Sequence, residues 1–560
     1  MEKTGKILLY CDNISENWIK ALKNKVKKQF PISEGYTLET TVIKGNGTWE
    51  EAASKKEEIF DDKTVAAALL IGNKDCCLDK KSFKEVLPYI EELRKKAVET
   101  NTRLILMSVG PSESSKEQIK EYNLQLLDYA KQNQIRLADV YEYWEKYNLR
   151  IEFADRFDKR AIKCALDAVF PVLTRTKLLV LWQFNGRYAH CNYSCPYCYV
   201  ATSVNKGMHF NYDMETWEAA FERHFGDKNV VFYFSYGEPM MAGNIFYEAL
   251  EMIGRHPSWE VRMTSNVSLP MDRLFESRVA KEGRLNINTS FHPTQISVEK
   301  FIEKCDEIRA HGIEPSVIYV MYPEQIDDLE KYMPLFRQKG YRVHIRAFRG
   351  LYKGKKYPQA YTKEQWRKTA KYMDKGNFKY QLHAVNGLGR MSMLGMTHIL
   401  IDNFGKIEMC DSYVGDRHYG NIFDEKIYLD VKPYPFPGLV PLAAVDDIAD
   451  YTEIGYTELE DNNVNSFNTQ GGTVKQADGT IVYPYEHIDL NNKKLVRKLK
   501  KVPKPFKPAY QFWLDPKWIV QHFIYSFVIK KYGKYVWAWC KGKWSLYKQG
   551  KLSLKNFWHS

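Results

Sequence analysis

Three cysteines are spaced so that they could hold an iron–sulfur cluster. Cys191, Cys195 and Cys198 lie in the run Cys-Asn-Tyr-Ser-Cys-Pro-Tyr-Cys-Tyr, a CxxxCxxC pattern. A closed site needs four protein ligands, so a cubane bound by three thiolates keeps one iron open to an exogenous ligand. Such an iron is a reaction site, whereas a saturated cluster serves structure or electron transfer.

Two other uses of these cysteines are open. A structural zinc site would need a fourth ligand, which His190 or a distant cysteine could supply, although zinc sites more often use CxxC pairs. A disulfide is disfavoured, because ten cysteines in 560 residues with no secretory signal are typical of a reducing compartment. We therefore expect a cytoplasmic protein.

The cysteine run resembles that of the radical SAM superfamily, in which the residue before the third cysteine is usually aromatic, as Tyr197 is here. The resemblance implies a [4Fe-4S] cluster whose open iron chelates S-adenosyl-L-methionine. It implies reductive cleavage of that cofactor to a 5′-deoxyadenosyl radical, which abstracts hydrogen from an unactivated C–H bond. It also implies an electron donor such as a flavodoxin or ferredoxin.

Strand-like and helix-like patterns alternate around the cysteine run. The strand patterns are Leu178–Phe184, Val230–Phe234, Trp259–Met263, Leu285–Ser290, Pro315–Val320 and Tyr341–Phe348. Six βα repeats predict a parallel sheet with right-handed crossovers. Six strands are too few to close an eight-stranded barrel. We therefore predict a partial (β/α)6 barrel over residues 175–350, which is also the core of the radical SAM fold.

Polar residues follow the predicted strands at the edge from which the cysteine loop extends. The run Ser-Tyr-Gly-Glu-Pro resembles the family's Gly-Gly-Glu-Pro, with Tyr236 in place of the first glycine. The resemblance implies that Gly237 and Glu238 receive the cofactor's ammonium group. Arg346 could pair with its carboxylate bidentately. The other residues that we predict to bind the cofactor are Tyr197, Ser265, Asn266 and Ser290.

Residues 1–172 predict a separate doubly wound, flavodoxin-like α/β domain. Its strand patterns are Ile7–Tyr10, Val65–Ile71 and Arg103–Val109, separated by charged amphipathic helices. The residues that follow the strands resemble those of an SGNH/GDSL hydrolase in degenerate form. The corresponding runs are Cys11-Asp12-Asn13, Gly72-Asn73-Lys74-Asp75 and Asp155-Arg156-Phe157-Asp158.

In this resemblance Asn13, Lys74 and Asp158 replace the nucleophile, one oxyanion donor and the general base. Asparagine is no acyl-transfer nucleophile, and nothing here could activate it as an imidazole would. We therefore expect a catalytically inactive domain that could still bind an acylated or glycosylated ligand. An ordinary docking domain is the alternative.

Residues 351–492 predict a C-terminal extension followed by a loop-rich linker. The run Gly405–Cys410, followed by Gly420–Phe423, looks like the start of the extension found in many radical SAM maturases. Cys410 has no cysteine neighbour before Cys540, so an auxiliary cluster is not expected. Cys410 is either a buried small hydrophobe or a thiol that donates hydrogen to a substrate radical, a role known among the family's epimerases.

Residues 493–560 form a basic, aromatic tail. This segment holds 17 Lys or Arg, one acid and six of the thirteen tryptophans, so its net charge is +16 in a chain whose total is +13. The composition fits either an anionic membrane surface or nucleic acid, and we expect peripheral contact with the inner membrane face and no specific nucleic acid. The alternative is that the tail folds back onto the open side of the barrel.

These patterns predict a radical SAM enzyme whose substrate is a saccharide or glycan precursor, with epimerisation or dehydrogenation as the outcome. The carbohydrate-esterase-like first domain and the interfacial tail are the reasons for that substrate. The alternative is a maturase of a ribosomally synthesised peptide, in which the first domain would dock the peptide. A non-catalytic iron–sulfur protein is the third option.

Overall fold

The computed structural model describes residues 3–12, 20–22, 24, 36–110, 115–146, 159–174, 177–183, 191–198, 212–235, 237–348, 350–358, 360–372, 391–409, 419–435, 474–475 and 481–482. The strands are β1 (Lys3–Asp12), β2 (Tyr36–Gly45), β3 (Thr64–Leu70), β4 (Arg103–Met107), β5 (Arg136–Ala138), β6 (Leu178–Trp182), β7 (Val230–Phe234), β8 (Trp259–Ser265), β9 (Leu285–Phe291), β10 (Ser316–Met321), β11 (Arg342–Ala347), β12 (Gly350–Tyr352), β13 (Lys355–Tyr357), β14 (Met391–Ser392), β15 (His398–Ile401), β16 (Ile407–Glu408), β17 (Tyr434–Pro435), β18 (Val474–Lys475) and β19 (Ile481–Val482).

The helices alternate with the strands of the two large sheets. They are α1 (Trp49–Ser54), α2 (Lys56–Ile59), α3 (Phe83–Glu99), α4 (Lys116–Gln132), α5 (Val140–Lys146), α6 (Lys159–Thr174), α7 (Met214–Phe225), α8 (Asn244–Arg255), α9 (Asp272–Glu276), α10 (Arg278–Lys281), α11 (Val298–Ala310), α12 (Leu329–Gln338) and α13 (Lys363–Ala370). A π-helical turn covers Lys74–Leu78 and a 3-10 turn covers Pro239–Ala242. None of the helices in these ranges combines the length and apolarity that crossing a bilayer requires.

The first sheet has the strand order β2-β1-β3-β4-β5, and all its pairs are parallel. This is the flavodoxin-like order of doubly wound domains, in which helices cover both faces. Alternate residues of β1 accordingly belong to two different apolar clusters, Ile7 and Leu9 to one and Leu8 and Tyr10 to the other. The sequence patterns located β1, β3 and β4 and missed β2 and β5.

The second sheet has the order β11-β10-β9-β8-β7-β6-β15-β16. Its pairs are parallel from β11 to β15, and β16 is antiparallel to β15. Strands β6 to β11 lie at the six predicted strand positions. The sheet also includes β15 and β16, which come from the segment predicted as a C-terminal extension. Strand β15 pairs with β6 in the register His398↔Leu179 to Ile401↔Trp182.

The two faces of the second sheet differ in character. One face packs against the helices through large aromatic residues, with the Trp182 and Phe221 ring centroids 4.9 Å apart. The opposite face is apolar on β6, β7 and β15, where Leu179, Tyr233 and Leu400 belong to one small cluster. Since the side chains of paired residues lie on the same side of a sheet, the alternate residues of β8 to β11 continue this face. These residues are mostly polar, and they decide what the sheet can bind.

The segment after β16 joins the two sheets. The Leu137 amide donates to the Val431 carbonyl at 2.8 Å, so this segment extends the first sheet beyond its edge strand β5. The Lys432 ammonium, 6 % exposed, forms ion pairs with Asp139 and Glu142. These contacts fix the first domain against the second sheet through a segment almost 300 residues distant in sequence.

Several predicted features fall outside the described residues. They are Asn13, the run Asp155–Asp158, Tyr236, Cys410, and the tail at 493–560. The predictions made for them stay predictions.

Candidate active site

The cysteine loop lies at the carboxyl end of the second sheet, after β6. Within it the Cys198 amide donates to the Cys195 carbonyl at 3.1 Å, which makes a tight turn between the second and third cysteines. Burial, together with the charges of Cys198 and Cys191, raises the pKa of the Cys195 thiol to about 12. The three thiols are therefore close enough to oppose one another's ionisation, and a bound cationic group would relieve that repulsion.

Residues that follow β8 hold one side of the loop. The Asn266 side-chain Nδ2 donates to Asn192 Oδ1 at 3.0 Å and to Cys191 Sγ at 3.5 Å. Asn192 Nδ2 in turn donates to Ser268 Oγ at 2.8 Å, and the Ser268 amide donates to Asn266 Oδ1 at 3.0 Å. These bonds close a ring of polar side chains beside the first cysteine.

Residues that follow β9 hold the other side of the loop. Gln295 bonds the backbone of Ser194 in both directions, through Oε1 to the amide at 3.2 Å and through Nε2 to the carbonyl at 3.5 Å. The Tyr197 hydroxyl hydrogen-bonds His292 Nδ1 at 2.9 Å. Burial lowers the pKa of His292 to about 4, so the ring is neutral near pH 7 and can accept this bond.

The predicted ammonium-binding turn follows β7. Gly237 has φ +63°, in the left-handed region that glycine adopts without steric cost. Pro239 then starts the short 3-10 turn, and Glu238 caps that turn through a bond from the Met240 amide to its Oε1 at 3.4 Å. The glycine and the proline therefore fix the backbone direction on both sides of Glu238.

Glu238 itself is fully buried and faces the end of β8. Its Oε2 accepts the Asn266 amide at 2.7 Å, and both oxygens accept the Ser265 hydroxyl at 3.0 Å. Burial raises the pKa of Glu238 to about 7, against these hydrogen bonds, which lower it. The carboxylate therefore joins the ends of β7 and β8, and its predicted contact with an ammonium group stays a prediction.

Ser290 and Arg346 lie on the face of the sheet opposite the helices. The register carries Ser290 to Ile318 and Ile318 to His344, and Arg346 is two residues further along β11. Arg346 Nε and Nη2 are buried and have no hydrogen-bond partner among the described residues. Buried guanidinium nitrogens without a partner are costly, and a carboxylate satisfies them well. Arg346 therefore fits the predicted contact with an anionic group.

The same face carries further polar atoms that have no partner among the described residues. Both side-chain amide atoms of Asn288, Ser316 Oγ and His344 Nε2 are of this kind, and each of the three residues is 1 % exposed. Hydrogen-bonding capacity is thus concentrated on the part of the sheet below the loop.

Most of the predicted cofactor residues therefore meet at one edge of the second sheet. Asn192, Ser268, His292 and Gln295 also belong to this site, although they are not among the residues predicted above to bind the cofactor. A usable signal existed, because each lies in the cysteine loop or within five residues of a predicted strand end.

The thiols fit a cluster better than they fit a single ion. In a [4Fe-4S] cluster each thiolate binds its own iron, so three thiols spread along one loop suit it. The bond from Asn266 to Cys191 Sγ is also of the kind that iron–sulfur sites place around their sulfurs.

The family model of the Radical SAM superfamily matches residues 187–335. Among solved structures, anSMEcpe with bound AdoMet is 17% identical, covering 44% of this chain and 78% of its own, with a TM-score of 0.35. Streptococcus suis SuiB bound to precursor peptide SuiA is 13% identical over 49% of this chain and 70% of its own, at 0.34. TesA is 15% identical over 30% of this chain and 96% of its own, at 0.25. No curated protein matches the chain.

Proposed function

The chain carries a radical SAM domain at residues 187–335, and we propose that it is an enzyme that removes a hydrogen atom from a peptide substrate. The observation that carries the proposal is the attachment of a three-cysteine loop to the same sheet edge as Glu238, Asn266 and Arg346. A [4Fe-4S] cluster with S-adenosyl-L-methionine supplies the radical chemistry when bound.

In this proposal the residues of the chain divide the remaining tasks. Cys191, Cys195 and Cys198 hold the cluster. Gly237 and Glu238 receive the ammonium group of the cofactor, and Arg346, whose buried nitrogens have no partner among the described residues, pairs with a carboxylate. Ser265 and Asn266 fix the Glu238 carboxylate, so the ends of β7 and β8 keep their relative position.

We prefer a peptide to a saccharide because the structure weakens the main reason for expecting a saccharide. The saccharide depended on the likeness of the first domain to carbohydrate esterases. One of the motif runs behind that likeness, residues 72–75, makes hydrogen bonds within the first domain. Asn73 Oδ1 accepts the Gly110 amide at 2.9 Å, and Asp75 accepts the Trp49 amide at 2.9 Å. A docking domain, as the peptide alternative requires, needs no such motif.

Anaerobic reconstitution tests the reaction type. The protein should take up about four irons per chain, as a cubane requires. With dithionite and S-adenosylmethionine it should then release 5′-deoxyadenosine and methionine. Replacing Cys191, Cys195 and Cys198 together by alanine should abolish both results. Cys77→Ala, a partly exposed thiol of the first domain, is the matched control and should change neither. Stoichiometric zinc without iron uptake would refute the proposal.

The neighbouring genes test the substrate. A short open reading frame beside the gene would provide a candidate peptide, which is then incubated with the reconstituted enzyme, reductant and S-adenosylmethionine. A change of the peptide's mass that requires all three components supports the peptide. Neighbouring glycosyltransferase genes, and deuterium exchange into a glycan precursor, would support the saccharide instead.

A further inference from the structure

Asn266 contacts the cysteine loop through its side chain and Glu238 through its backbone amide. Its side-chain nitrogen Nδ2 donates to Cys191 Sγ at 3.5 Å, within the range of hydrogen bonds to sulfur. Asn266 is 4 % exposed, so the donor is buried, and the bond as a whole is partly buried. Cys191 is itself the exposed member of the three cysteines. The exposed thiol of the loop therefore receives a buried side-chain donor.

The orientation of the Asn266 amide is set by its other bonds. Its Oδ1 accepts the Ser268 amide at 3.0 Å and the Ser268 hydroxyl at 2.5 Å. Its Nδ2 also donates to Asn192 Oδ1 at 3.0 Å. Because the oxygen is held by two donors, the nitrogen is left on the side of the loop, where Asn192 and Cys191 are. The amide thus has one orientation that satisfies all its neighbours.

The backbone of Asn266 is fixed independently of its side chain. The Asn266 amide donates to Glu238 Oε2 at 2.7 Å, and the Ser265 hydroxyl bonds the same carboxylate. On the far side of the loop, the Gln295 side chain hydrogen-bonds both the backbone amide and the backbone carbonyl of Ser194. The loop is therefore attached to the ends of two strands, β8 and β9. These attachments fix the distance between Asn266 Nδ2 and Cys191 Sγ.

We infer that Asn266 is a positioning residue that raises the reduction potential of the cluster by donating a hydrogen bond to the Cys191 sulfur. Reduction adds negative charge to the cluster and its sulfurs, and an N–H donor stabilises that charge. This inference rests on the proposed function, since it requires the cluster. It adds that the end of β8 makes the one-electron reduction of this cluster easier.

The test is a redox titration of the reconstituted protein, followed by the electron paramagnetic resonance signal of the reduced cluster. Asn266→Leu removes the donor and keeps the volume. At a fixed poise its ratio of reduced to oxidised cluster should fall about tenfold, which is about 59 mV for a one-electron couple. Asn266→Gln keeps an amide donor and should recover most of the loss.

Asn133→Leu is the matched control. It makes the same substitution at an asparagine of the first domain, whose Nδ2 donates to the Tyr129 carbonyl and not to a thiol. It should therefore keep the wild-type potential. A ratio in Asn266→Leu equal to that of the wild type would overturn the inference, and so would an equal fall in Asn133→Leu.

The outcomes separate this inference from the proposed function. A wild-type protein that takes up no iron contradicts the proposed function itself. If Asn266→Leu alone fails to assemble a cluster, Asn266→Val, which also lacks a donor and adds no charge, decides in its place. A wild-type ratio in Asn266→Val would then refute the role of the donor, and a fall would support it.

Discussion

Glu238 should make the stability of the protein depend on pH. Its carboxyl group is fully buried, and burial raises its pKa from 4.5 to about 7. The folded state therefore binds the proton more tightly than the unfolded chain does. The stabilisation that results is fully present below about pH 4.5 and is lost as the pH rises through about 7.

The size of the effect follows from the shift. A change of about 2.5 pKa units corresponds to about 3 kcal/mol of unfolding free energy. Most of this amount, about 2.5 kcal/mol, is lost between pH 5 and pH 8.5. Glu238→Gln is neutral at every pH and keeps a carbonyl oxygen for the Asn266 amide. The variant should therefore show only a pH-independent offset at this position.

The assay is urea unfolding of the cluster-free protein, followed by tryptophan fluorescence at several values between pH 5 and pH 8.5. The stability difference between the variant and the wild type should move in favour of the variant by about 2.5 kcal/mol as the pH rises. Glu248→Gln, which removes an exposed carboxylate from α8, is the matched control and should leave the pH profile unchanged. Parallel profiles of wild type and Glu238→Gln would refute the reasoning, because they would mean that burial does not shift this carboxyl group.

Three further predictions concern other parts of the molecule. Arg346→Gln should weaken the binding of S-adenosylmethionine to the reconstituted protein about tenfold or more, because a charge-assisted bond contributes about 1.5–3 kcal/mol; equal affinity in equilibrium dialysis would exclude the pairing. Lys432→Met leaves two carboxylates without their buried partner and should lower the unfolding free energy by about 3–5 kcal/mol, whereas Lys368→Met, at an exposed ion pair, should cost less than about 1 kcal/mol. The tail at 493–560 should bind anionic vesicles and not neutral ones, with about 1 kcal/mol per Lys or Arg near the surface, and a chain ending at Asn492 should stay in the supernatant; aggregation of that shorter chain would instead indicate that the tail belongs to the core.

The sequence located the elements whose signals are local. The CxxxCxxC spacing, the Gly-Glu-Pro run and the six strand patterns from β6 to β11 each lie within a short stretch of chain. Because parallel strands present their carboxyl ends at one edge, these patterns also placed Asn266 and Glu238 near the cysteine loop. Burial and hydrogen bonding at that edge agree with this placement.

Only the tertiary structure decided which distant residues complete each element. Strand β15 has four residues and pairs with β6, more than two hundred positions earlier. No periodic pattern in the local sequence predicts this pairing. The same holds for Lys432, whose partners Asp139 and Glu142 lie almost 300 residues away. Such pairings depend on the tertiary fold, which brings distant segments of the chain into contact.

The directions of side chains were likewise outside the reach of the sequence. Glu238 was predicted as a cofactor contact, yet its carboxylate points to Ser265 and the Asn266 amide, because burial requires hydrogen-bond donors and those are at hand. Gln295 and His292 were ordinary polar residues in the sequence, and their bonds to the loop exist only because β9 ends beside it. The residue types determined the chemistry that is available, and the packing of strand ends determined which atoms face one another.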